Sequence, residues 1–286
     1  MAVSNPEKLK PLLEQGMSYP EAVQQLVGLE YGPLVSAVFD SPNNILAAEY
    51  LKSMKVLAQD FEAFTIKRKG ASHDSDTSSD GIASASYIRQ LIEDDEDISE
   101  FVPKDTADAI AEYEEKELLS YFDNLERPMI YKLRNVTLQD IADTPDVAQG
   151  LENRIFEAGR MATTIDEFLE MVKTKRYPMA RIRRILLNLF LNIKNVDLQV
   201  PPPFGRVLAL NERGAEILAA AKEATETKLR IPFGTGFKEF AEIQNVAVKR
   251  YMGLITSSTD TYALSSRTIR TSALDFTTKI EMQKTL

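Results

Sequence analysis

Apolar residues return at helical spacing along most of this chain, interrupted by short turn signals. Ser4 and Asn5 offer caps, Pro6 suits a first turn, and Gly16 follows Leu12, Leu13 and Glu14 as a terminator. The spacing therefore predicts a short opening helix. Ser18 and Pro20 restart the pattern over 21–27, and the apolar residues Leu34, Val35, Val38 and Phe39 run into Ser41-Pro42-Asn43-Asn44. That tetrapeptide is a turn and a helix cap together. Beyond it Ile45, Leu46, Tyr50, Leu51, Met54 and Leu57 predict a helix, whereas Phe61-Glu62-Ala63-Phe64-Thr65-Ile66 alternates as a strand does.

Residues 70–81, GASHDSDTSSDG, hold no large apolar side chain and read as a loop. A helix carrying Tyr87, Ile88, Leu91 and Ile92 follows, with Ser84 or Ser86 as its cap. An acidic run, Glu93-Asp94-Asp95-Glu96-Asp97, precedes Pro103, and a domain boundary is expected between 100 and 120, placed at 110/111. Helix after helix is expected later, over 106–121, around Met129, Ile130 and Leu133, and over 137–142, 147–161, 165–172 and 178–193. The triple proline 201–203 breaks the pattern, 206–210 reads as a short strand, 211–221 as helix, and Gly234-Thr235-Gly236 as a turn.

Composition narrows the function. With no cysteine among 286 residues, disulfide scaffolds, cysteine zinc sites and thiol catalysis are excluded. The 34 basic and 43 acidic side chains give a net charge of −9, so bulk attraction to nucleic acid is excluded and a polyanion must meet a local basic patch. The opening residues lack the apolar core of a signal peptide, and no run of about 18 apolar residues occurs, so a soluble cytoplasmic protein is expected.

One patch stands out. Residues 173–184, KTKRYPMARIRR, carry six cations and no anion: Lys173, Lys175, Arg176, Arg181, Arg183 and Arg184. On a helix Arg181 and Arg184 share a face and Arg183 points elsewhere, an arrangement suited to phosphates, with Tyr177 placed to stack on a base. The alternative is a solvated cationic face paired with the 93–97 acidic run. Asn43, Asn44, Arg68, Ser84, Ser86 and Arg89 lie at the ends of expected elements, where the carboxyl edge of a parallel sheet binds ligands. A serine-capped helix start offers N–H groups to phosphate, and Arg68 and Arg89 can neutralise charge developing on a triphosphate attacked at its α-phosphorus. Alternatively Asn43 caps its helix, Ser84 and Ser86 merely begin theirs, and Arg89 pairs with Glu93. His73, the single histidine, lies in the 70–81 loop beside Asp74 and makes no metal cluster by itself.

Taken in order, SPNNILAAEYLKSM, FTIKRKGASHDSD, IASASYIRQLI and KTKRYPMARIRRILLNLFL resemble the bacterial tRNA(Met) cytidine acetate ligase family, an HxGH-type nucleotidyltransferase relative. The resemblance implies an α/β fold: a partial Rossmann-like nucleotidyltransferase domain over 1–110, followed by a mostly α-helical tRNA-binding domain over 111–286. It implies an enzyme that condenses acetate with ATP, carrying Mg²⁺ with the nucleotide, and passes the acetyl group to N4 of the wobble cytidine of elongator tRNA(Met). Neither DNA nor a membrane is an implied partner. Arg68 and Arg89 are then the catalytic cations. Asn43, Asn44, Arg68, Ser84, Ser86 and Arg89 hold the nucleotide, and Lys173, Lys175, Arg176, Tyr177, Arg181 and Arg184 face RNA. Ala85 stands where the family's triphosphate-holding element has a hydroxyl residue. The chain departs from the family in one respect: with a single histidine it contains no HxGH motif and reads as roughly the carboxyl two-thirds of the enzyme. That departure leaves a catalytically inactive RNA-binding relative as the alternative.

Overall fold

Caps carried by the chain set where its helices begin and end. The computed structural model describes residues 6–15, 17, 19–58, 60–66, 82–148, 150–174, 177–199, 201–227, 233, 234 and 236–283. They form two compact units, one within Met1–Pro103 and one of Lys104–Lys173 with Tyr177–Leu286.

The first unit contains α1 (Pro6–Glu14), α2 (Tyr19–Tyr31), the short α3 (Pro33–Ser36), a 3-10 turn at Ala37–Asp40, α4 (Pro42–Val56) and α5 (Ala85–Glu93). Leu9 of α1 packs against Ala22, Val23 and Val27 of α2 to make a small core. Ser41 occupies the N-cap position of α4, so Asn43 and Asn44 sit inside its first turn, both exposed, and neither caps it. The strand expected at 61–66 does not form: residues 60–66 have no regular structure, and Phe61, Phe64 and Ile66 are exposed, Ile66 at 96%. Alternation is necessary for a half-buried strand but not sufficient, because a strand exists only where a neighbour supplies ladder hydrogen bonds.

The second unit opens with α6 (Lys104–Glu115), shorter than the expected 106–121. Glu117 turns left-handed at φ 54°, and the Leu118 N–H closes back on the Tyr113 carbonyl at 2.7 Å. This is a Schellman-type stop without its usual glycine, which explains why no sequence signal marked it. Ser120 instead forms an antiparallel bridge with Ser266.

Five helices then build the main core: α7 (Glu126–Asn135), α8 (Leu138–Ala142), α9 (Leu151–Met161), α10 (Ile165–Val172) and α11 (Met179–Phe190). Met129 and Leu133, Ile141, Ile155, Phe168 and Leu169, and Ile182, Ile185 and Leu186 bury the apolar stripes read from the sequence. Each such side chain contributes about 1.5–3 kcal/mol through burial. A Cβ on Gly159 would stand 3.1 Å from the Leu133 Cβ, so a glycine is what lets α9 approach α7 this closely.

Beyond α11 the expected 206–210 strand divides into β1 (Gly205–Arg206) and β2 (Ala209–Leu210), followed by α12 (Glu212–Thr227) and β3 (Phe233–Gly234). Gly234 pairs with Arg206 in a parallel β1–β3 ladder, and Thr235, the centre of the expected turn, lies outside the described residues. The sequence pattern marks no element past Gly236, whereas the structure places α13 (Phe237–Ala241), α14 (Val246–Tyr262), α15 (Leu274–Thr277) and β4 (Glu281–Met282), the last parallel to β2. In α14 the residues Gly253 and Thr256 to Thr259 have poor helix propensity. The helix persists because Asn245 caps it and because Val248 and Met252 bury against Phe204, Phe237 and Phe240. Phe204 stacks on Phe240 with ring centroids 4.2 Å apart. No helix among the described residues is long and apolar enough to cross a membrane.

Candidate functional sites

The first site is built by α5. Its N-cap residue Ser84 is 1% exposed, and its Oγ accepts the Tyr87 N–H at 3.0 Å. The hydroxyl is thus engaged in holding the helix start, and Ser86 is half-buried within the first turn. The tip is fixed further by an edge-on contact of Tyr87 with Phe101, centroids 5.7 Å apart. Among the described residues Arg89 makes no ion pair, with Glu93 or with any other group, and it is exposed. A helix amino terminus joined to an unneutralised guanidinium on the same helix favours an anion. Arg68 and His73 lie outside the described residues.

The second site is the basic segment. Three contacts shape it. The Arg154 guanidinium donates to the Met171 carbonyl, to that of Val172 at 3.0 Å and to that of Lys173 at 3.5 Å. It thereby serves the orphan carbonyls at the end of α10. Lys173 is drawn back to Glu170 at 3.2 Å. Across the start of α11, Asp146 holds both arginines of the shared face: its carbonyl accepts from Arg181 at 2.7 and 3.2 Å, and its carboxylate pairs with Arg184 Nε at 2.5 Å. Asp146 itself adopts φ 68°, a left-handed conformation aspartate tolerates better than most residues.

Arg181 and Arg184 therefore do share a face, and Arg183 projects elsewhere, exposed. Within their own unit the anionic neighbour among the described residues is Asp146; in the 93–97 run Asp97 accepts from Ser99. Tyr177 departs from expectation: it is 9% exposed and belongs to the helical core, with the Arg181 guanidinium 5.2 Å from its ring centre. A tyrosine following a break in a cationic run looks available from sequence, but here the apolar demand of five helices takes it inside. Lys175 and Arg176 lie outside the described residues. Asp146 and Arg154 were invisible to local pattern, because each acts on residues 17 to 38 positions away.

Close by, Asp140 anchors the amino end of α8. Its Oδ2 accepts the Thr137 hydroxyl at 2.7 Å and the Thr137 N–H at 3.1 Å, and its Oδ1 meets Lys194 Nζ at 3.1 Å. Thr137 chiefly, then Lys194, lowers the carboxyl to about 2. A depressed carboxylate stabilises the fold fully above its unfolded value near 3.8 and loses that contribution as pH falls toward 2. The side chain is 46% exposed, so solvent screening limits the effect to about 1 kcal/mol or less. In urea titrations Asp140→Asn is expected to be less stable than the parent at pH 6, with the difference closing as pH drops through 4 to 2.

A family model described as HIGH Nucleotidyl Transferase matches residues 2–275. The chain is 31% identical over 287 residues to a tRNA(Met) cytidine acetate ligase of Alkaliphilus metalliredigens, covering 92% of this chain and 66% of that protein. It is 32% identical over 281 residues to one of Thermoanaerobacter pseudethanolicus, covering 94% and 66%. The chain thus spans just under two-thirds of the length of these relatives. Among solved structures it resembles Thermotoga maritima TmcAL in its apo form, with a TM-score of 0.84 at 20% identity over 99% of this chain and 72% of that one. It also resembles the same protein bound with alpha-thio ATP, with a TM-score of 0.82 at 20% identity over 99% and 72%. That likeness shows the fold: a nucleotidyltransferase-type α/β protein, of which the described residues here contribute mostly helices and two small parallel strand pairs. With its family model running across both units, the chain belongs to the HIGH nucleotidyl transferase family, and the two relatives of Alkaliphilus and Thermoanaerobacter carry the name tRNA(Met) cytidine acetate ligase.

Proposed function

We propose that this protein takes part in ATP-dependent acetylation of N4 of the wobble cytidine in elongator tRNA(Met). The observation that carries the reading is that relatives bearing that name align with more than nine-tenths of the chain. In the first step an acetate oxygen attacks the α-phosphorus of ATP, giving acetyl-adenylate and pyrophosphate. In the second the cytidine amine attacks the acetyl carbonyl, AMP leaves, and the amine gives up a proton. On this reading 1–110 is the carboxyl part of the nucleotidyltransferase domain and 111–286 the tRNA-binding domain.

The α5 start suits the triphosphate, with Ser84 holding the helix tip, Ser86 beside it and Arg89 offering its charge. Asn43, Asn44 and Arg68 complete the nucleotide contacts. Mg²⁺ is assigned to the nucleotide's own phosphates, which are hard oxygen ligands suited to it. Lys173, Lys175, Arg176, Arg181 and Arg184 are assigned to RNA phosphates, while the burial of Tyr177 removes it from that set.

Incubation with ATP, labelled acetate and elongator tRNA(Met), following pyrophosphate and acetylcytidine separately, tests the proposal. Both products are expected. Because Arg89 makes no ion pair or hydrogen bond by its side chain among the described residues, Arg89→Ala is expected to lower pyrophosphate release about 100-fold or more with unfolding unchanged. A second reading is RNA binding without catalysis, carried by the six cations and no anion of 173–184. It predicts salt-sensitive tRNA binding with neither product. Absence of tRNA binding by the folded chain would overturn both.

A further inference from the structure

Along the carboxyl half of α14 lies an open cleft of about 660 Å³ that the nucleotide and basic sites leave unused. Met252, Leu264 and Phe276 supply its apolar surface, and Thr256, Thr261 and Asp260 its polar groups. Asp260 uses one oxygen structurally: Oδ1 accepts the Ala273 N–H at 2.7 Å, pinning a residue held at φ 61°. Its Oδ2 and the hydroxyls of Thr256 and Thr261 make no hydrogen bond among the described residues. At Gly253 the wall is bare, and a Cβ there would meet nothing within 4 Å. The segment that leads from α14 to Ser272 on the cleft rim carries Arg267, which is exposed and lies 5.8 Å from the ring centre of Tyr121, and Arg270.

We propose that this cleft is a subsite for an unpaired nucleobase bearing an exocyclic amine, cytosine among them. The inference rests on the RNA reading above and adds to it a place where a base is read. An apolar surface with an aromatic edge accommodates a splayed-out base, as single-stranded RNA recognition requires. A carboxylate oxygen can only accept, so it pairs with the exocyclic amine of cytosine, adenine or guanine, whereas uracil offers it only an N3–H set between two carbonyls that repel it. Arg267 and Arg270 on the adjoining segment supply positive charge for the attached phosphates. A simple ammonium ligand would leave the apolar surface and the hydroxyls without use, which favours the base.

Amide chemical-shift perturbation in the full chain, titrated with the uncharged nucleosides cytidine and uridine, tests this independently of polyanion binding. Cytidine is expected to shift Gly253, Thr256, Asp260 and Thr261 and to bind about tenfold or more tightly than uridine, the range of a hydrogen bond to a charged group. In Asp260→Asn the amide oxygen retains the Ala273 contact while its NH₂ turns toward the cleft, so the preference should reverse in favour of uridine. Gly253→Leu fills the cleft from a position with free space and good helix propensity, and should abolish both responses with thermal unfolding unchanged or raised. Equal responses to the two nucleosides, none at all, or the same shifts produced by methylammonium would each overturn the proposal. Salt-dependent tRNA binding measured on the same samples reports separately on the basic segment, so loss of one reading is distinguishable from loss of the other.

Discussion

Arg206→Ala is expected to destabilise the second unit by about 3–5 kcal/mol, roughly the cost of stranding a buried charge. Arg206 pairs with Asp275, and their side chains are only 18% and 6% exposed. The guanidinium also donates to the Asp275 carbonyl at 3.3 Å and lies 4.8 Å from the Phe237 ring centre. Asp275 Oδ2 already lacks a partner, as does Arg206 Nε, so the pair is imperfectly satisfied even when intact. Removing the cation leaves a carboxylate with neither solvent nor counter-charge, and the contact between β1 and α15 goes with it. The midpoint of chemical denaturation measures the loss, and about 10 °C off the unfolding temperature accompanies it. Arg206→Met combined with Asp275→Leu is expected to recover much of the stability, because the desolvation cost disappears with both charges. A single-variant loss below about 1 kcal/mol would show that water reaches Asp275 after all.

Replacing Arg181 and Arg184 together with alanine is expected to weaken tRNA binding about 10- to 100-fold and to flatten the dependence of log K on log salt by about 1.5 to 2 units. Both guanidiniums keep N–H groups available beyond those given to Asp146, and both are on the outer surface of α11. Stability should change little, because an exposed ion pair such as Arg184–Asp146 contributes about 1 kcal/mol or less. Asp146→Asn provides the opposite sign. It removes the anion that occupies Arg184, so affinity and salt slope should rise. Filter-binding or fluorescence titrations at three salt concentrations separate these outcomes. An unchanged slope in the double variant would remove this face from the RNA interface.

How much of this was legible beforehand differs by region. The cap Thr137, the stripes of α7 to α11 and the start at Pro178 are local signals, whereas the helix expected over 147–161 begins only at Leu151, behind Gly150 at φ 89°. Each is encoded within about one turn of the residue it affects, and they reproduce the helical core closely. The strand at 61–66 failed because its pattern describes a face and not a partner. Tyr177 failed because its neighbours in the chain are polar whereas its neighbours in space are apolar. α14 escaped notice because Gly253, Ser257 and Ser258 lower its propensity, and its stability comes from the aromatic cluster it covers.

The amino-acid sequence alone determined the helical periodicity, the placement of most caps, the absence of thiol chemistry and the concentration of cations at 173–184. Those properties depend on residue type and on spacings of four or fewer. Tertiary structure decided which cations are latched and which are open, that Tyr177 supports the core, that Arg206 and Asp275 are buried together, and that Asp260 lines a cleft. Each of these depends on groups brought together from separate helices and loops, where desolvation and hydrogen-bond geometry set the energy, and no local pattern along a chain encodes either.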